Sequence, residues 1–316
     1  MTAARFMLVR PEGNETLALR GLRVLVGGPE RMPGGKRAAE VEERLKGFLT
    51  YARSVGLNIH RQVLAMEGNV VAGMCLWVPA AGRTAMLFGT SLSEFPESVV
   101  ATRLAIQAAI EDARQAGVVL AQAMLEPADA VGQNVYAEAG MSQLATLTYM
   151  ERQPPVQPPM FEGLPGITLI PYSESRHADF HRAIVESYRD TLDCPALSGM
   201  RNVDDVIAGH KAVGPFDPEL WSVLLLDGVA VGCLLLSEIP ARRALELVYL
   251  GLSPPVRGRG LGRMLMRRVL SIASQRHFDV ATLAVDAANT PAVKLYRRCG
   301  YVSTTQRVAM VKQLTY

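Results

Sequence analysis

The second half of the chain carries short apolar runs that alternate with segments of helical periodicity. Apolar runs predict strands, and apolar residues at intervals of three and four predict amphipathic helices. The predicted strands cover residues 167–171, 221–226, 229–236, 245–252, 280–285 and 301–311, and the predicted helices cover 178–188, 203–213, 260–277 and 290–299. The dipeptide Asp227-Gly228 is typical of a tight hairpin turn. The resulting order, β-α-α-β-β-β-α-β-α-β, predicts a mixed α/β (α+β) domain.

The first half shows the same pattern in a weaker form. It predicts helices over 38–55, 101–115 and 132–139, and strands over 63–66, 70–78, 84–89, 118–125 and 144–152. Identical residues recur 160 positions apart, namely Tyr136 with Tyr296, Gly140 with Gly300 and Met150 with Met310. Such self-similarity indicates a duplication. Two unrelated α/β domains with chance matches are the alternative.

A proline-rich segment near the middle of the chain separates the two halves. It runs from Gln153 to Pro159 and is followed by Gly163, Pro165 and Gly166. Prolines lack the amide donor that helices and central strands need, so this segment predicts an extended linker. The predicted organisation is therefore a first domain over 1–152, a linker over 153–166 and a second domain over 167–316.

The composition excludes several classes of protein. Hydrophobic residues make up 49% and charged residues 20% of 316 residues, a balance typical of globular proteins. A net charge of +3 gives no reason to expect nucleic-acid binding. The four cysteines are far apart and form no CxxC pair, which argues against disulfides and a zinc site. No signal peptide or apolar run of membrane-spanning length is visible, so we expect a cytoplasmic protein without a metal.

The segment from Leu252 to Arg263 holds the most informative chemistry. Glycines alternate with arginines in Arg257-Gly258-Arg259-Gly260-Leu261-Gly262-Arg263, just before a predicted helix. Alternating glycines let the backbone approach a ligand, and the amides at a helix N-terminus bind anions. The three arginines suit phosphates. The segment lacks the Gly-Lys-Ser/Thr of a Walker loop and the third glycine of a dinucleotide fingerprint. A pyrophosphate site is favoured, with a basic turn of no function as the alternative.

Two motifs of this half resemble those of the GNAT superfamily of N-acetyltransferases. The run Arg257-Gly258-Arg259-Gly260-Leu261-Gly262 resembles its pyrophosphate loop. The run from Asn289 to Tyr296, with Gly300-Tyr301, resembles its second acetyl-CoA motif. The resemblance covers 167–316, and the first half resembles the same fold only faintly. It implies two tandem GNAT folds, each a mixed, mostly antiparallel sheet flanked by helices, and acetyl-CoA as cosubstrate.

The resemblance also assigns a binding role to particular residues. The loop amides would hold the coenzyme pyrophosphate, the preceding strand would pair with the pantetheine arm, and the amide of Leu250 would polarise the thioester carbonyl. The implied coenzyme-binding residues are Leu250, Gly251, Leu252, Arg257, Gly258, Arg259, Gly260, Leu261, Gly262, Arg263 and Asn289.

Two residues are candidates for the chemistry of acetyl transfer. Glu246 is a carboxylate within an apolar strand, where burial would raise its pKa toward that of a general base. The family places a catalytic glutamate there; an ion pair with Arg242 or Arg243 is the alternative. Tyr296 resembles the tyrosine that protonates the leaving thiolate, with a packing role as the alternative.

The first half lacks these features. At the 160-residue offset, Glu97, Val100 and Thr102 replace the loop residues Arg257, Gly260 and Gly262, while Met86 replaces Glu246 and Asp129 replaces Asn289. Carboxylates without glycine would repel a pyrophosphate. We therefore expect a catalytically silent copy.

The resemblance predicts an acetyl-CoA-dependent N-acetyltransferase that acts on a primary amine by direct attack in a ternary complex. The alternatives are an acyl-CoA-binding sensor or scaffold without catalysis, and a protein or peptide N-acetyltransferase. The expected partner is a small-molecule or peptide amine. The loop that carries Asp190 and Asp193 is expected to be solvated and to lie on the acceptor side. Neither the acceptor nor an oligomeric state follows from the sequence.

Overall fold

The computed structural model describes residues 5–30, 36–90, 98–160 and 163–314. The chain forms two compact units, one of Met1–Leu144 with Val308–Tyr316 and one of Ala145–Arg307. Glu97, which replaces Arg257 in the first half, lies outside the described residues, and the chain is described again from Ser98 onward.

The first unit is a sheet with helices. Its strands are β1 (Met7–Val9), β2 (Gln62–Glu67), β3 (Val70–Ala80), β4 (Thr84–Gly89) and β5 (Leu120–Leu125), and its helices are α1 (Glu15–Gly27), α2 (Lys36–Ser54), α3 (Val99–Gln115) and α4 (Ala130–Glu138). The strands pair in chain order, and only β4 and β5 are parallel. Buried apolar residues such as Val63, Leu87 and Ile106 form its core.

The second unit repeats this arrangement. Its strands are β6 (Ser142–Arg152), β7 (Ile167–Pro171), β8 (Trp221–Leu226), β9 (Val229–Ile239), β10 (Ala244–Leu252) and β11 (Val280–Asp286), and its helices are α5 (His177–Tyr188), α6 (Val203–Lys211), α7 (Leu261–Gln275) and α8 (Thr290–Arg298). The strand order is β6-β11-β10-β9-β8-β7. Only β10 and β11 are parallel among these pairs. Phe180, Trp221 and Leu265 belong to its core.

The last strand of each half of the chain belongs mainly to the unit of the other half. Strand β6 pairs with β11 over Leu147–Arg152, within the second unit. The final strand, β12 (Val302–Gln313), pairs with β5 over Val308–Gln313, within the first unit. The compact units therefore differ from the predicted boundaries in these two strands. The proline-rich linker marks a break in regular structure along the sequence. Which sheet a strand joins is decided instead by its pairing with strands that are distant in sequence.

The predicted fold class is confirmed, since each unit is a mixed, mostly antiparallel sheet flanked by helices. Strands β4 and β7 begin and end at the predicted residues. Strand β1 and helix α1 were not predicted. The signal for α1 is present: the side chain of Asn14 accepts a hydrogen bond from the Leu17 amide at 3.0 Å, as an N-cap does. Within the described residues, no helix is both long and apolar enough to cross a bilayer.

Candidate active site

A cavity opens where β10 and β11 separate. The two strands pair in parallel only from Ala244 to Leu247 on β10. A bulge follows, because the register of β10 against β9 shifts between Leu247 and Tyr249. A bulge bends and twists its strand, and the backbone from Val248 onward leaves the neighbouring strand. The result is a cavity of about 330 Å³, lined by residues 247–252 of β10 and by Ala284 and Val285 of β11.

The glycine loop adjoins this cavity at the start of α7. Gly258 and Gly260 have φ angles of +73° and +84°, in the left-handed region that favours glycine. Gly260 precedes the first helical residue, so the free amides of the first turn of α7 follow it directly. Gly258 and Gly262 line the cavity, whereas Arg259, Gly260, Leu261 and Arg263 are not among its lining residues. The loop has the backbone geometry of an anion site.

The side chain of Arg257 has a role that the sequence did not indicate. Its guanidinium donates to the carbonyl of Leu252 at 2.9 Å and to the carbonyls of Ser187, Arg189 and Asp190 at 2.9, 2.8 and 2.9 Å. The side chain therefore faces backbone carbonyls. It ties the glycine loop to the segment Ser187–Cys194, which comprises the last two residues of α5 and the loop that follows and which we call the cover segment.

The other end of the cover segment is fastened to β11. The carboxylate of Asp193 accepts from the Asp286 amide at 3.1 Å, and the carboxylate of Asp286 accepts from the Cys194 amide at 3.2 Å. Asp193 lines the cavity and is exposed to solvent. Protein atoms around its carboxyl nevertheless raise its pKa by desolvation. Asp286 was not predicted, although a carboxylate that ends an apolar strand is a visible signal.

Asn289 lines the cavity and is also the N-cap of α8. Its side-chain oxygen accepts from the Ala292 amide at 3.3 Å, and its side chain lowers the pKa of Asp193 against the larger effect of burial. Asp129, its counterpart in the first unit, likewise accepts from the Gly132 amide at 2.9 Å as the N-cap of α4. Capping is therefore a role that both units share.

Tyr296 lies in the wall of the cavity on α8. Its side chain is buried, and this burial raises the pKa of its phenol, with the charge of Asp193 adding to the shift. A neutral phenol can donate a proton or a hydrogen bond. A second tyrosine, Tyr249, also lines the cavity, but its hydroxyl is hydrogen-bonded to the Ser187 hydroxyl at 2.6 Å and its ring stacks on His210.

Glu246 is half-buried in β10, one residue before the cavity-lining stretch begins, and is not itself among the lining residues. Burial raises its pKa, while the charge of Arg242 lowers it. The ion pairs expected as its alternative are not formed in the described part of the chain. Arg242 donates to Glu151 at 2.8 Å, and Arg243 donates to Asp279 at 3.0 Å.

The first unit differs at the corresponding place. The hydroxyl of Tyr136, the counterpart of Tyr296, accepts a hydrogen bond from the Gly89 amide at 2.7 Å. This amide at the end of β4 is therefore already bound within the protein. Burial raises the pKa of Tyr136 well above its ordinary value. Ser98 precedes α3 without forming a side-chain cap. Among the described residues of both units, no group of three or more histidines, cysteines and carboxylates could hold a metal ion.

Comparisons with known proteins find relatives of part of the chain. Residues 184–301 match the GNAT acetyltransferase family. A mycothiol acetyltransferase from Beutenbergia cavernae is 37% identical over 89 residues, which cover 27% of this chain and 29% of that protein. The sequence likewise resembles mycothiol synthase in its tandem plan. The matched segments span less than a third of the length of the mycothiol acetyltransferases found.

Two solved structures share the fold over almost the whole chain. A GCN5-related N-acetyltransferase from Sphaerobacter thermophilus has a TM-score of 0.57 at 20% identity and covers 100% of this chain and 98% of its own. A tandem GNAT protein from the clavulanic acid biosynthesis pathway has a TM-score of 0.53 at 12% identity, covering 98% and 99% of the two chains. At such identities the likeness concerns the fold.

Proposed function

Residues 184–301 match the GNAT family of acetyltransferases, and from this premise we propose that the chain transfers the acetyl group of acetyl-CoA to a primary amine by direct attack in a ternary complex. The observation that carries the proposal is the cavity between β10 and β11, with the glycine loop at one end and Tyr296 in its wall. The left-handed glycines and free helix amides fit a pyrophosphate, and the unpaired edge of β10 fits a pantetheine arm.

We assign one residue of the chain to each step of this reaction. Glu246 takes a proton from the acceptor ammonium, which frees the nitrogen lone pair. The nitrogen attacks the thioester carbonyl carbon, while the Leu250 amide stabilises the developing oxyanion. The carbon–sulfur bond then breaks, and Tyr296 donates its proton to the departing thiolate. The products are an N-acetyl amine and coenzyme A.

The raised pKa of Glu246 supports its part in this scheme. A buried carboxylate binds a proton more tightly than an exposed one and is therefore a stronger base. The phenol of Tyr296 is protonated at neutral pH, as a proton donor requires, and burial raises its pKa further above the ordinary value. The names of the curated relatives favour a small-molecule acceptor over a peptide.

Coenzyme A release with a panel of amines tests the proposal. The panel contains deacetylated mycothiol, glucosamine, spermidine, tyramine and an octapeptide with a free N-terminus. We expect at least one small amine to accelerate release, and we expect Glu246→Gln and Tyr296→Phe each to lower kcat about 100-fold or more, with acetyl-CoA binding by calorimetry retained.

Two other outcomes would contradict the proposal and favour one of its alternatives. Acetyl-CoA binding with the same slow background release by all three proteins would favour the sensor or scaffold and overturn the transferase. Release stimulated by the octapeptide alone would favour a peptide acetyltransferase.

A further inference from the structure

One residue in the middle of the second unit's sheet is exposed. Ala284 lies on β11, between β10 and β6, and also lines the cavity. Residues that pair across neighbouring strands present their side chains on the same face. Ala284 pairs with Tyr149 of β6, and the adjacent same-face position Thr282 pairs with Glu151 of β6 and Glu246 of β10. These five side chains therefore share one face.

The opposite face of these strands is the hydrophobic core. Met150, Leu283 and Leu245, which alternate with the residues just named, all belong to it. The face with Ala284 is therefore polar, and the small, exposed side chain of Ala284 leaves a gap opposite Tyr149 and diagonally across from Glu246. Because Ala284 also lines the cavity, this gap joins the cavity to the polar face.

Tyr149 is placed to act in this gap. It is half-buried, and within the described residues its hydroxyl has no hydrogen-bond partner. Burial raises the pKa of its phenol, Arg307 lowers it, and the charge of Glu246 raises it further. Glu246 and Tyr149 are thus close enough to interact, and the phenol is neutral.

We propose that Tyr149 and Glu246 form the subsite for the acceptor amine, with the primary ammonium group above Ala284. The Tyr149 hydroxyl accepts a hydrogen bond from the ammonium, and the Glu246 carboxylate receives the proton that the ammonium loses before its nitrogen attacks the thioester. This inference rests on the proposed function. Strand β6 then has a functional role, because through it the first half of the chain contributes a substrate-binding residue to the active unit.

Steady-state kinetics of Tyr149→Phe test the subsite, with acetyl-CoA and the panel amine of highest kcat/KM as substrates. The variant removes one hydroxyl and keeps the ring. We expect the KM for the amine to rise about three- to tenfold, as for the loss of one hydrogen bond. The KM for acetyl-CoA and the value of kcat should change less than twofold. Tyr51→Phe, which removes a hydroxyl from an exposed tyrosine of α2, is the matched control.

The remaining outcomes are distinct. If Tyr149→Phe leaves the amine KM unchanged, or raises both KM values equally, the proposed subsite is wrong. Turnover by the wild type would still support the proposed function in that case. No turnover of any panel amine by the wild type would overturn the proposed function and this inference with it.

Discussion

The charge of Arg242 acts on the proton affinity of Glu246 without an ion pair between them. Arg242 lowers the pKa of Glu246 against the larger effect of burial, while its own hydrogen bond goes to Glu151. In the proposed mechanism Glu246 is the general base and works only when it is deprotonated, so we expect the rate to fall as pH decreases through its pKa. Because burial raises this pKa, the fall should occur at a higher pH than for an exposed glutamate.

Removal of this positive charge should shift the pH profile. In Arg242→Gln the pKa of Glu246 rises further, so the acidic limb of kcat/KM for the amine moves to higher pH. The pH dependence of coenzyme A release measures this shift. The matched control is Arg243→Gln, since Arg243 is bound to Asp279 and has no resolved effect on Glu246. Equal profiles for wild type and Arg242→Gln would show that Glu246 is not the titrating base.

Some site residues could be found from the sequence, and others could not. Glu246 is visible because a carboxylate in an apolar strand needs an explanation, and the glycine loop is visible because its glycines alternate. The positioning role of Arg257 is not visible, since its partners are carbonyls of residues 67 to 70 positions away and carbonyls have no sequence signature. Tyr149 is hidden because it stands in the other half of the chain.

The cover segment is held to the glycine loop by one side chain and to β11 by the carboxylates of Asp193 and Asp286. Arg257 binds three of its carbonyls, at Ser187, Arg189 and Asp190, and thereby fixes it to the glycine loop. A planar guanidinium can serve several acceptors at fixed angles, whereas an ammonium on a flexible stem cannot. The shape of the cavity thus depends on the geometry of this group as well as on its charge.

Arg257→Lys should therefore weaken acetyl-CoA binding about tenfold, as for the loss of a charge-assisted hydrogen bond. Arg257→Gln should weaken it by a similar factor, because both variants lose the fork of donors. Calorimetric titration with acetyl-CoA gives both dissociation constants. If the lysine variant binds as tightly as the wild type and only the glutamine variant is impaired, the charge of Arg257 acts on the phosphates directly and the positioning role is wrong.

The elements themselves were predictable where the periodicity is strong. Helix α7 was predicted over 260–277 and spans Leu261–Gln275, since Leu261, Leu265, Val269 and Ile272 form one buried stripe. Strand β1 was not predicted because its three residues are too short for a recognisable pattern and gain their structure from pairing with β2. Local sequence thus gives most elements, whereas pairing decides the marginal ones.

At the scale of the whole molecule, the sequence revealed two similar halves but not which strands each sheet would contain. The identity of Met150 with Met310 marks β6 and β12 as corresponding strands. Met150 is nevertheless buried in the core of the second unit, and Met310 is buried in that of the first. The apolar pattern of a strand shows that it will be buried on one face but not which neighbour it will join.

A chain cut in the proline-rich segment should show this exchange of strands. A fragment 153–316 lacks β6, so β11 would lose the partner it pairs with over Ala281–Asp286 and the core would lose Met150. An unpaired, apolar edge favours aggregation. We expect this fragment alone to be insoluble or to unfold without a cooperative transition, and its coexpression with 1–152 to restore a soluble complex that binds acetyl-CoA. Size-exclusion chromatography and thermal unfolding of the fragments measure both results.

A matched fragment that begins at residue 142 retains β6 and should be more soluble than 153–316. If 153–316 alone unfolds cooperatively and binds acetyl-CoA as tightly as the whole chain, then β6 is dispensable to the active unit.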